Sequence, residues 1–502
     1  MAKICLCLTG KTLAKDLEII EKNRKYIDIA ELRVDYLEPD ERFLIRRFPE
    51  MAGVPVILTI RRSIDGGCFV GGEGARITLL ANGLAYADAD RRRNFAYVDL
   101  EEDLNVPSLE EAARAFGTRI IRSWHNMEGV DDDLADKLIK MRRVGNEIVK
   151  AAVMPRSLDD VVKVYRVARE TSDVEKILHC MGDYGVNTRI LAEFLGSSIS
   201  YTSMLGDSEL PLAAPGQLDP KELAELYRFH EITGKTKIFA VSGYPLKVSE
   251  SPRFFNTVFG IEHTDAVYVP IPADSVHSLM RLAEEIGISG ISITIPFKEE
   301  ILPYLAQKSI EVSSVGACNT IVTGPQGWVG YNTDAAGFSG SLLPFLGRKD
   351  LRGRKLTIVG AGGAAKAVAA EVYRLKGKAL ILNRSPLRAR SLASPYRFIW
   401  AGLDSQGAAL MEKYSDIIIQ TSPVGMDPDS EKDPIDFYKF SGKEMVMDLI
   451  YKPEKTLCLR RAEKAGCSIL NGYDMLYRQA RYQYNYFMNK EFPPSLVSRV
   501  GF

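Results

Sequence analysis

The sequence predicts an α/β fold in two parts, a (β/α)8 barrel at the N-terminus and a nucleotide-binding region after it. Two observations support this prediction. Short β-branched runs alternate with amphipathic helical segments through residues 1–230, and near residue 360 a glycine-rich turn separates a strand from a helix. Strand–helix alternation predicts a parallel sheet, and roughly eight units within about 230 residues match the size of a TIM barrel.

The barrel prediction depends on eight short apolar runs. The predicted strands are residues 3–9, 28–35, 55–61, 96–102, 119–125, 147–154, 175–181 and 197–203. Helical patterns lie between them, for example at residues 131–143 and 158–170. An open doubly wound sheet is the competing fold, but no glycine-rich phosphate loop follows the first strand, which counts against it.

Composition narrows the class of protein. A chain of 502 residues has room for two or three domains. Its 65 basic and 65 acidic residues give no net charge, so we expect no nucleic-acid or membrane partner held by bulk electrostatics. No apolar stretch reaches membrane-spanning length, and the N-terminus runs straight into a strand, so we expect no cleaved leader. Seven scattered cysteines without metal-type spacing predict a cytoplasmic protein with no metal site.

A lysine interrupts the sixth predicted strand, in the apolar run from Glu147 to Pro155. A strand buried on both faces has no easy place for the ammonium group of Lys150. Burial favours the neutral form of an amine, and a neutral amine is a nucleophile for ketones. The alternative is a lysine whose stem packs inside while its head reaches a carboxylate outside.

Further polar residues fall where the barrel strands are predicted to end, which is where barrels of this kind gather functional groups. Each has a structural alternative: Glu31 and Arg33 could form an ion pair, and His125 could be a hydrogen-bonded core histidine. Their convergence on one rim favours a site. The candidates beside Lys150 are Glu31, Arg33, Arg61, Asp65, His125, Arg189 and Gln217.

Four segments of the first half resemble type I 3-dehydroquinate dehydratase, in order and spacing over residues 1–230. They are Leu58-Thr59-Ile60-Arg61, Ser123-Trp124-His125, Val149-Lys150-Ala151-Ala152-Val153-Met154-Pro155 and Ala214-Pro215-Gly216-Gln217. The resemblance implies that Lys150 forms an imine with the C3 ketone of 3-dehydroquinate, and that His125 removes the C2 proton and assists the departure of the C1 hydroxyl as water. It also implies that five residues hold the substrate carboxylate and hydroxyls: Glu31, Arg33, Arg61, Arg189 and Gln217.

One position departs from that family. The family usually has glutamate before the Gly66-Gly67 pair to orient the histidine, and this chain has Asp65, which is one methylene shorter. We expect Asp65 to keep the orienting role, with a shift of the histidine or the loop.

The second half carries a dinucleotide-binding pattern. An apolar strand, residues 355–359, leads into Gly360-Ala361-Gly362-Gly363-Ala364 and an alanine-rich helix. Glycines let the backbone approach a pyrophosphate, and the helix N-terminus supplies N–H groups. The alternative is a tight glycine-rich turn. The next strand ends at Asn383-Arg384-Ser385, where an NAD site would have an acid, so the arginine favours the 2′-phosphate of NADP over the alternative of a surface arginine.

The chain from residue 238 onward resembles shikimate dehydrogenase. The matching segments are Gly243-Tyr244-Pro245 with Ser249-Glu250-Ser251-Pro252, residues 292–298, Gly316-Ala317-Cys318-Asn319-Thr320, Gly330-Tyr331-Asn332-Thr333-Asp334, residues 421–426 and 471–476, and Gln479-Ala480. The resemblance implies catalysis by Lys298 and Asp334. In isolation, Lys298 could be a solvated lysine and Asp334 a helix N-cap.

The same resemblance implies further binding residues. The substrate-binding residues are Ser249, Ser251, Thr294, Asn319, Tyr451 and Gln479. The cofactor-binding residues include Thr421 and Gly472, in addition to those of the glycine-rich turn and of Asn383-Arg384-Ser385. Gln420 stands where the family usually has asparagine.

The two resemblances imply consecutive steps of one pathway. Residues 1–230 would dehydrate 3-dehydroquinate to 3-dehydroshikimate, and the rest would reduce that product to shikimate with NADPH. We expect a substrate lobe at 238–334, completed by 475–502, and a Rossmann-type NADP lobe at 335–474. The rivals are a quinate/shikimate dehydrogenase with an inactive barrel and a non-catalytic metabolite sensor. Retained Lys150 and His125 argue against the first rival, and the lack of an effector module argues against the second.

Overall fold

The computed structural model describes residues 1–85, 90–144, 146–207, 209–246 and 249–500. The chain forms two compact units, Met1–Ile288 and Ser289–Phe502. Within the described ranges, every helix is too short or too polar to cross a lipid bilayer.

The first unit begins with a barrel of eight parallel strands. They are β1 Lys3–Leu8, β2 Ile29–Arg33, β3 Val56–Thr59, β4 Tyr97–Glu101, β5 Arg119–Asn126, β6 Ile148–Val153, β7 Lys176–Cys180 and β8 Ile199–Thr202. Each strand from β1 to β6 pairs with the next one along the chain, and β1 also pairs with β8. A parallel bridge between Lys176 and Ser197 connects β7 to β8. The barrel prediction is confirmed, and the open-sheet alternative is wrong.

Helices cover the outside of the barrel. They are α1 Leu13–Asn23, α2 Phe48–Ala52, α3 Glu73–Leu84, α4 Pro107–Ala115, α5 Leu134–Met141, α6 Leu158–Glu170 and α7 Val186–Ile190. Helix α6 matches its predicted range because the Ser157 hydroxyl caps its first turn, accepting from the Asp160 N–H at 3.4 Å. Helix α5 is shorter than predicted, since residues 131–133 lie outside the helix.

Apolar side chains fill the inside of the barrel away from its C-terminal mouth. Isoleucines from six strands form one buried cluster: Ile29, Ile57, Ile121, Ile148, Ile177 and Ile199. Because side chains alternate along a strand, the residue two positions further on in each strand faces the same interior and lies nearer the mouth than the isoleucine of that strand. Those positions are Glu31, Thr59, Ser123, Lys150, His179 and Tyr201. Along each of these strands, a residue with a polar group therefore follows an apolar one towards the mouth.

The first unit continues past the barrel with β9 Lys237–Gly243, α8 Ser251–Ile261, β10 Ala266–Pro272 and α9 Val276–Ile286. Strands β9 and β10 pair in parallel. Helix α9 packs against the barrel helix α6 through ion pairs, with Arg166 2.9 Å from Glu285 and Asp159 2.9 Å from Arg281. The contact between the two helices is therefore polar at its edges.

The second unit opens with a small mixed sheet. Its elements are β11 Ile288–Ile293, β12 Gln307–Lys308, α10 Ile310–Val315, β13 Thr320–Gly324, β14 Gly327–Tyr331 and α11 Asp334–Leu346. Strand β13 runs antiparallel to both β11 and β14, and β12 runs parallel to β14.

A doubly wound parallel sheet follows. It contains β15 Lys355–Val359, α12 Gly363–Arg374, β16 Lys378–Leu382, α13 Pro386–Ala393, β17 Ile399–Ala401, α14 Ser405–Met411, β18 Ile417–Gln420, β19 Met445–Asp448, α15 Leu457–Lys464, β20 Ser468–Leu470 and the long α16 Tyr473–Met488. The strand order is β17-β16-β15-β18-β19-β20, so the winding reverses beside β15. Such reversal points bind dinucleotides, and the predicted Rossmann-type lobe is confirmed.

Candidate active sites

The mouth of the barrel holds a polar pocket. Every barrel residue that the sequence singled out lines it. The pocket residues include Glu31, Arg33, Arg61, Asp65, His125, Lys150, Arg189 and Gln217, together with Cys7, His179 and Tyr201. The structure thus brings together side chains from six barrel strands and from the loops that follow β3, β7 and β8.

Lys150 lies at the centre of this pocket and is only 5% exposed. Its Nζ donates to a carboxylate oxygen of Asp99 at 2.9 Å and lies 3.9 Å from Glu31. The same nitrogen stands 4.2 Å from the centre of the Tyr201 ring. Because its head stays inside the barrel, the alternative of an outward-reaching lysine is wrong.

Asp99 is a site residue that the sequence reasoning missed. Its fully buried carboxylate also accepts from Arg61 at 2.8 Å and from the Ser123 hydroxyl at 2.5 Å. Burial raises the pKa of Asp99, but Arg61 and Lys150 outweigh it and hold that pKa well below its usual range. The alternation of Asp99 and Glu101 in β4 is the signal that could have revealed it, as it did for Glu31 and Arg33.

The three pocket arginines differ in their partners. Arg33 makes a bidentate pair with Asp35, at 2.9 and 2.7 Å, and Arg61 pairs with Asp99 and with Glu101 at 2.9 Å. Arg189 donates only to backbone carbonyls, at 3.3 and 3.4 Å, and across the described ranges it has no carboxylate partner. Burial lowers the pKa of Arg189 to about 10. A buried cation without a counter-charge is costly, so Arg189 is the arginine best suited to an anionic ligand.

His125 ends the inward row of β5. Burial, followed by the nearby cations Arg61 and Lys150, keeps its pKa well below the usual range, so the ring is neutral at physiological pH. We expected Asp65 to orient this ring. Instead the Asp65 carboxylate accepts from Arg62 at 2.6 Å, and the buried Nδ1 of His125 has no partner among the described residues. The Asp65 carboxylate is thus bonded to the neighbouring Arg62, and the role of Asp65 in orienting His125 stays a prediction.

Several polar atoms of the pocket have no hydrogen-bond partner among the residues that the structure describes. Where the chain is described, the buried side-chain polar atoms that lack a partner include five in this pocket: Nδ1 of His125, both ring nitrogens of His179, Nε of Arg189 and the Tyr201 hydroxyl. Native proteins rarely leave such groups unsatisfied. The pocket is therefore arranged for a polar ligand. His179 and Tyr201 were missed by the sequence reasoning, although His179 alternates with the inward-facing Ile177.

Glu31 and Gln217 also line the pocket. Glu31 accepts from the hydroxyl of Thr59 at 2.9 Å and from the thiol of Cys7 at 3.1 Å. The Gln217 oxygen accepts from the Ser203 hydroxyl, and its amide contacts Cys7 at 3.4 Å. Both side chains are held in place by the fold itself.

A second cluster of polar residues lies in the second unit. Lys298 Nζ donates to the Asp334 carboxylate at 2.5 Å, and the amide of Asn319 donates to the same carboxylate at 2.8 Å. Asn319 also contacts the side-chain oxygen of Gln479, on α16, at 3.4 Å. Lys298 is 14% exposed at its side chain and Asp334 is the first helical residue after an N-cap at Thr333, so both alternatives to a site are wrong.

Four other predicted substrate residues lie on other segments of the chain. Ser249 and Ser251 lie in the first unit, where the Ser251 N–H begins α8 and donates to the Ser249 hydroxyl at 3.3 Å. Thr294 follows β11, and Tyr451 follows β19 with its ring 5.6 Å from that of Tyr473.

The glycine-rich turn after β15 is shaped for a dinucleotide. Gly360 has φ +119°, and a Cβ there would lie 2.5 Å from the Thr421 hydroxyl. A Cβ at Gly362 would meet nothing within 4 Å, which leaves open space in front of α12. Gly363 and Ala364 begin that helix, directly after Ala361 and Gly362. Close backbone approach beside a helix N-terminus fits a pyrophosphate.

The surrounding loops agree with this fit. Asn383 donates from its amide to the Ser385 carbonyl at 3.0 Å, and Arg384 between them is exposed. Gln420 donates to the carbonyls of Ser422 and Val424, both at 2.9 Å, so it shapes the loop that Thr421 begins. A Cβ at Gly472 would lie 2.2 Å from the Leu449 carbonyl, which explains the glycine there.

Known proteins match both halves. A model of type I 3-dehydroquinase matches residues 4–233, and a model of the shikimate dehydrogenase substrate binding domain matches residues 241–321. The bifunctional 3-dehydroquinate dehydratase/shikimate dehydrogenase of Arabidopsis thaliana, a chloroplastic protein, is 27% identical over 97% of this chain and 82% of its own length. The NADP(+) shikimate dehydrogenase of Shouchella clausii is 33% identical over 53% of this chain and 98% of its own. A solved structure of dehydroquinate dehydratase and shikimate dehydrogenase from S. pombe is 21% identical over 99% of this chain and 98% of its own, with a TM-score of 0.42.

A barrel with a buried lysine among polar groups, followed by a dinucleotide-binding fold with a lysine–aspartate pair, defines an enzyme with an amine-centred lyase site and a dehydrogenase site. The chain belongs to the family of bifunctional type I 3-dehydroquinate dehydratase/shikimate dehydrogenases.

Proposed function

We propose that the chain dehydrates 3-dehydroquinate to 3-dehydroshikimate in its barrel and then reduces 3-dehydroshikimate to shikimate with NADPH. The observation that carries the first step is a lysine amine buried in a pocket where five polar atoms have no partner among the described residues. The second step is supported by the Lys298–Asp334 pair and the dinucleotide-binding turn.

The barrel chemistry begins at Lys150. Its amine adds to the C3 ketone, and loss of water gives an iminium that draws electrons from C2. Asp99, ionised and 2.9 Å from the lysine nitrogen, stabilises this cation from inside the barrel. Glu31, 3.9 Å away, adds a second negative charge.

The proton steps belong to His125. Its neutral ring can accept the C2 proton, and the imidazolium that results can then donate to the departing C1 hydroxyl. Arg189 is proposed as the main ligand of the substrate carboxylate, since its charge is not balanced by a described acid. Arg33, Arg61 and Gln217 shape the pocket and meet the hydroxyls.

The dehydrogenase chemistry is assigned to Lys298. NADPH supplies a hydride to the C3 carbonyl of 3-dehydroshikimate when it is bound. Lys298 stabilises the developing alkoxide and donates its proton to that oxygen, while Asp334 holds the ammonium in position. Asn319 fixes the aspartate, and Ser249, Ser251, Thr294, Tyr451 and Gln479 are proposed as substrate ligands.

The cofactor of the dehydrogenase half is NADP. Arg384 is proposed to contact its 2′-phosphate, with Asn383 and Ser385 beside it. We also propose three functional regions: the dehydratase at 1–230, the substrate lobe at 238–334 with 475–502, and the NADP lobe at 335–474. A cytoplasmic location is proposed as well, supported by seven cysteines that are all free thiols.

Borohydride reduction in the presence of 3-dehydroquinate tests the barrel mechanism. A stable adduct should appear on the peptide that contains Lys150, and Lys150→Met should abolish it. The matched control is Lys163→Met, which removes an exposed lysine of the same barrel from α6 and should leave the adduct unchanged. Adduct formation by Lys150→Met protein would contradict the imine assignment.

NADPH oxidation separates the two rival functions. Wild-type protein should consume NADPH with either 3-dehydroquinate or 3-dehydroshikimate, whereas Lys150→Met protein should respond only to 3-dehydroshikimate. A quinate/shikimate dehydrogenase with an inactive barrel would instead consume NADPH with 3-dehydroquinate equally in the wild type and in Lys150→Met, and the product would be quinate rather than shikimate. A metabolite sensor would consume NADPH with neither compound.

A further inference from the structure

The barrel pocket contains a second histidine that the proposed chemistry does not use. His179 lies in β7, is 2% exposed, and neither of its ring nitrogens has a hydrogen-bond partner in the part of the chain that the structure describes. A buried imidazole in this state forfeits two hydrogen bonds that water would have provided. The fold keeps it at a position that lines the pocket.

Strand register places the two histidines symmetrically about the lysine strand. In β6, Ala152 lies opposite His125 on β5 and opposite His179 on β7. Lys150 is two residues before Ala152 and faces the same interior. Both imidazoles therefore stand one layer nearer the mouth than Lys150, on either side of it.

His179 is also connected to Arg189, which has no acidic partner in the part of the chain that the structure describes. Its ring packs edge-on against Tyr201, with 5.5 Å between ring centres, and the Tyr201 ring lies under the Lys150 nitrogen. Arg189 donates to the backbone carbonyl of the same tyrosine at 3.3 Å. Lys150, His179 and Arg189 thus converge on one residue, and both cations, after burial itself, lower the pKa of His179 well below its usual range.

The substrate's own geometry then assigns a partner to this ring. If Lys150 binds C3 and Arg189 binds the carboxylate on C1, the atoms that join these two anchors by the shorter path are C2 and C1. The hydroxyl that leaves is on C1. A neutral imidazole is a poor proton donor, but its N–H can donate a hydrogen bond to an oxygen that gains negative charge.

We propose that His179 contacts the substrate and hydrogen-bonds the departing C1 hydroxyl, so that the two histidines divide the elimination between them. His125 removes the C2 proton and later delivers it to the leaving oxygen, the C1–O bond breaks as the C1–C2 double bond forms, and water leaves. His179 keeps its proton throughout and stabilises the oxygen as the bond lengthens. This inference rests on the imine mechanism proposed for Lys150.

The test separates imine formation from loss of water. Borohydride traps the Lys150 adduct both before and after dehydration, and the two trapped forms differ by the mass of one water. His179→Leu should lower kcat for dehydration by on the order of ten- to a hundredfold. Its trapped adduct should shift towards the heavier, undehydrated form, which a merely structural role would not produce. His179→Gln, which keeps an N–H donor, should recover much of the loss.

Three controls complete the experiment. His277→Leu makes the same substitution at an exposed position of α9 and should change neither kcat nor the adduct. The dehydrogenase activity of each variant reports on folding, and His179→Met serves as a second apolar replacement if the leucine variant does not fold. Wild-type adduct composition in both apolar variants, or equal loss of both trapped forms, would overturn the role of His179. Absence of any adduct in the wild type would instead overturn the imine mechanism.

Discussion

Replacing Asp99 by asparagine should disable the barrel while leaving the dehydrogenase half active. The carboxylate lies 2.9 Å from the nitrogen that becomes an iminium, and the next acid, Glu31, lies 3.9 Å away. At an effective dielectric of about 20, these distances correspond to attractions of about 6 and about 4 kcal/mol. Asparagine keeps the size of the side chain but removes the nearer negative charge, and with it the larger of the two attractions.

The expected result is a roughly 100- to 1000-fold lower kcat for dehydration, the usual cost of removing one electrostatic stabiliser of a transition state. The assay follows the conjugated enone of 3-dehydroshikimate by its absorbance. Reduction of added 3-dehydroshikimate by NADPH, measured on the same protein, serves as an internal control for folding and should be unchanged.

A matched variant separates the effect of removing a charge next to Lys150 from the effect of removing any buried charge. Glu101 is also buried, and it pairs with Arg61 at 2.9 Å and Arg76 at 2.6 Å, but it makes no described contact with Lys150. Glu101→Gln should therefore cost stability as Asp99→Asn does, with a much smaller loss of kcat. Equal losses of kcat in the two variants, or near wild-type dehydration by Asp99→Asn, would refute the reasoning.

Three further outcomes are expected. Lys298→Met and Asp334→Asn should each lower kcat for 3-dehydroshikimate reduction by roughly 100-fold or more, with dehydration unchanged, because each removes half of a charged pair at the reacting carbonyl; a loss of both activities would indicate misfolding instead. Arg384→Ala should raise KM for NADPH by about tenfold and leave KM for NADH unchanged, as steady-state kinetics with both cofactors would show. Burial raises the pKa of Asp16 to about 7, and its one described bond is from the Gly10 N–H at 2.9 Å. An acid whose pKa is higher in the folded state contributes fully to stability below its pKa in the unfolded chain, about 4 for aspartate. That contribution is lost as the pH rises through the folded-state pKa of about 7. Asp16→Asn should therefore raise the urea midpoint of the barrel above pH 7 by more than it does near pH 5, and a pH-independent difference would contradict this assignment.

The sequence was sufficient for the barrel and for most of its pocket. Period-two alternation marked Glu31 and Arg33, and a charge within an apolar strand marked Lys150, because these signals are local. Asp99 and His179 carry the same alternation, but their strands offered no second cue. Their importance depends on register between strands, which no single segment encodes.

Partners are harder to predict than positions. Asp65 lines the pocket as expected, yet its carboxylate accepts a hydrogen bond from Arg62. The sequence shows that Arg62 is a charged neighbour, but it does not show towards which residue the Arg62 side chain points. The contrast among the three arginines is likewise invisible in sequence. Arg33 and Arg61 form ion pairs with nearby acids, whereas the described hydrogen bonds of the Arg189 side chain go to backbone carbonyls.

The contact between α6 and α9 has a consequence for how such a fusion is maintained. Its edge consists of ion pairs among Asp159, Arg166, Arg281 and Glu285, with Arg169 also bonded to Glu285. Charged side chains become hydrated when they separate, so they do not form an exposed apolar patch. Separation of α9 from α6 would therefore expose charges that water solvates, and a higher ionic strength would weaken this edge of the contact. Because one chain carries both helices, the linkage keeps these charged groups at a high effective concentration, so the ion pairs can form again after they open.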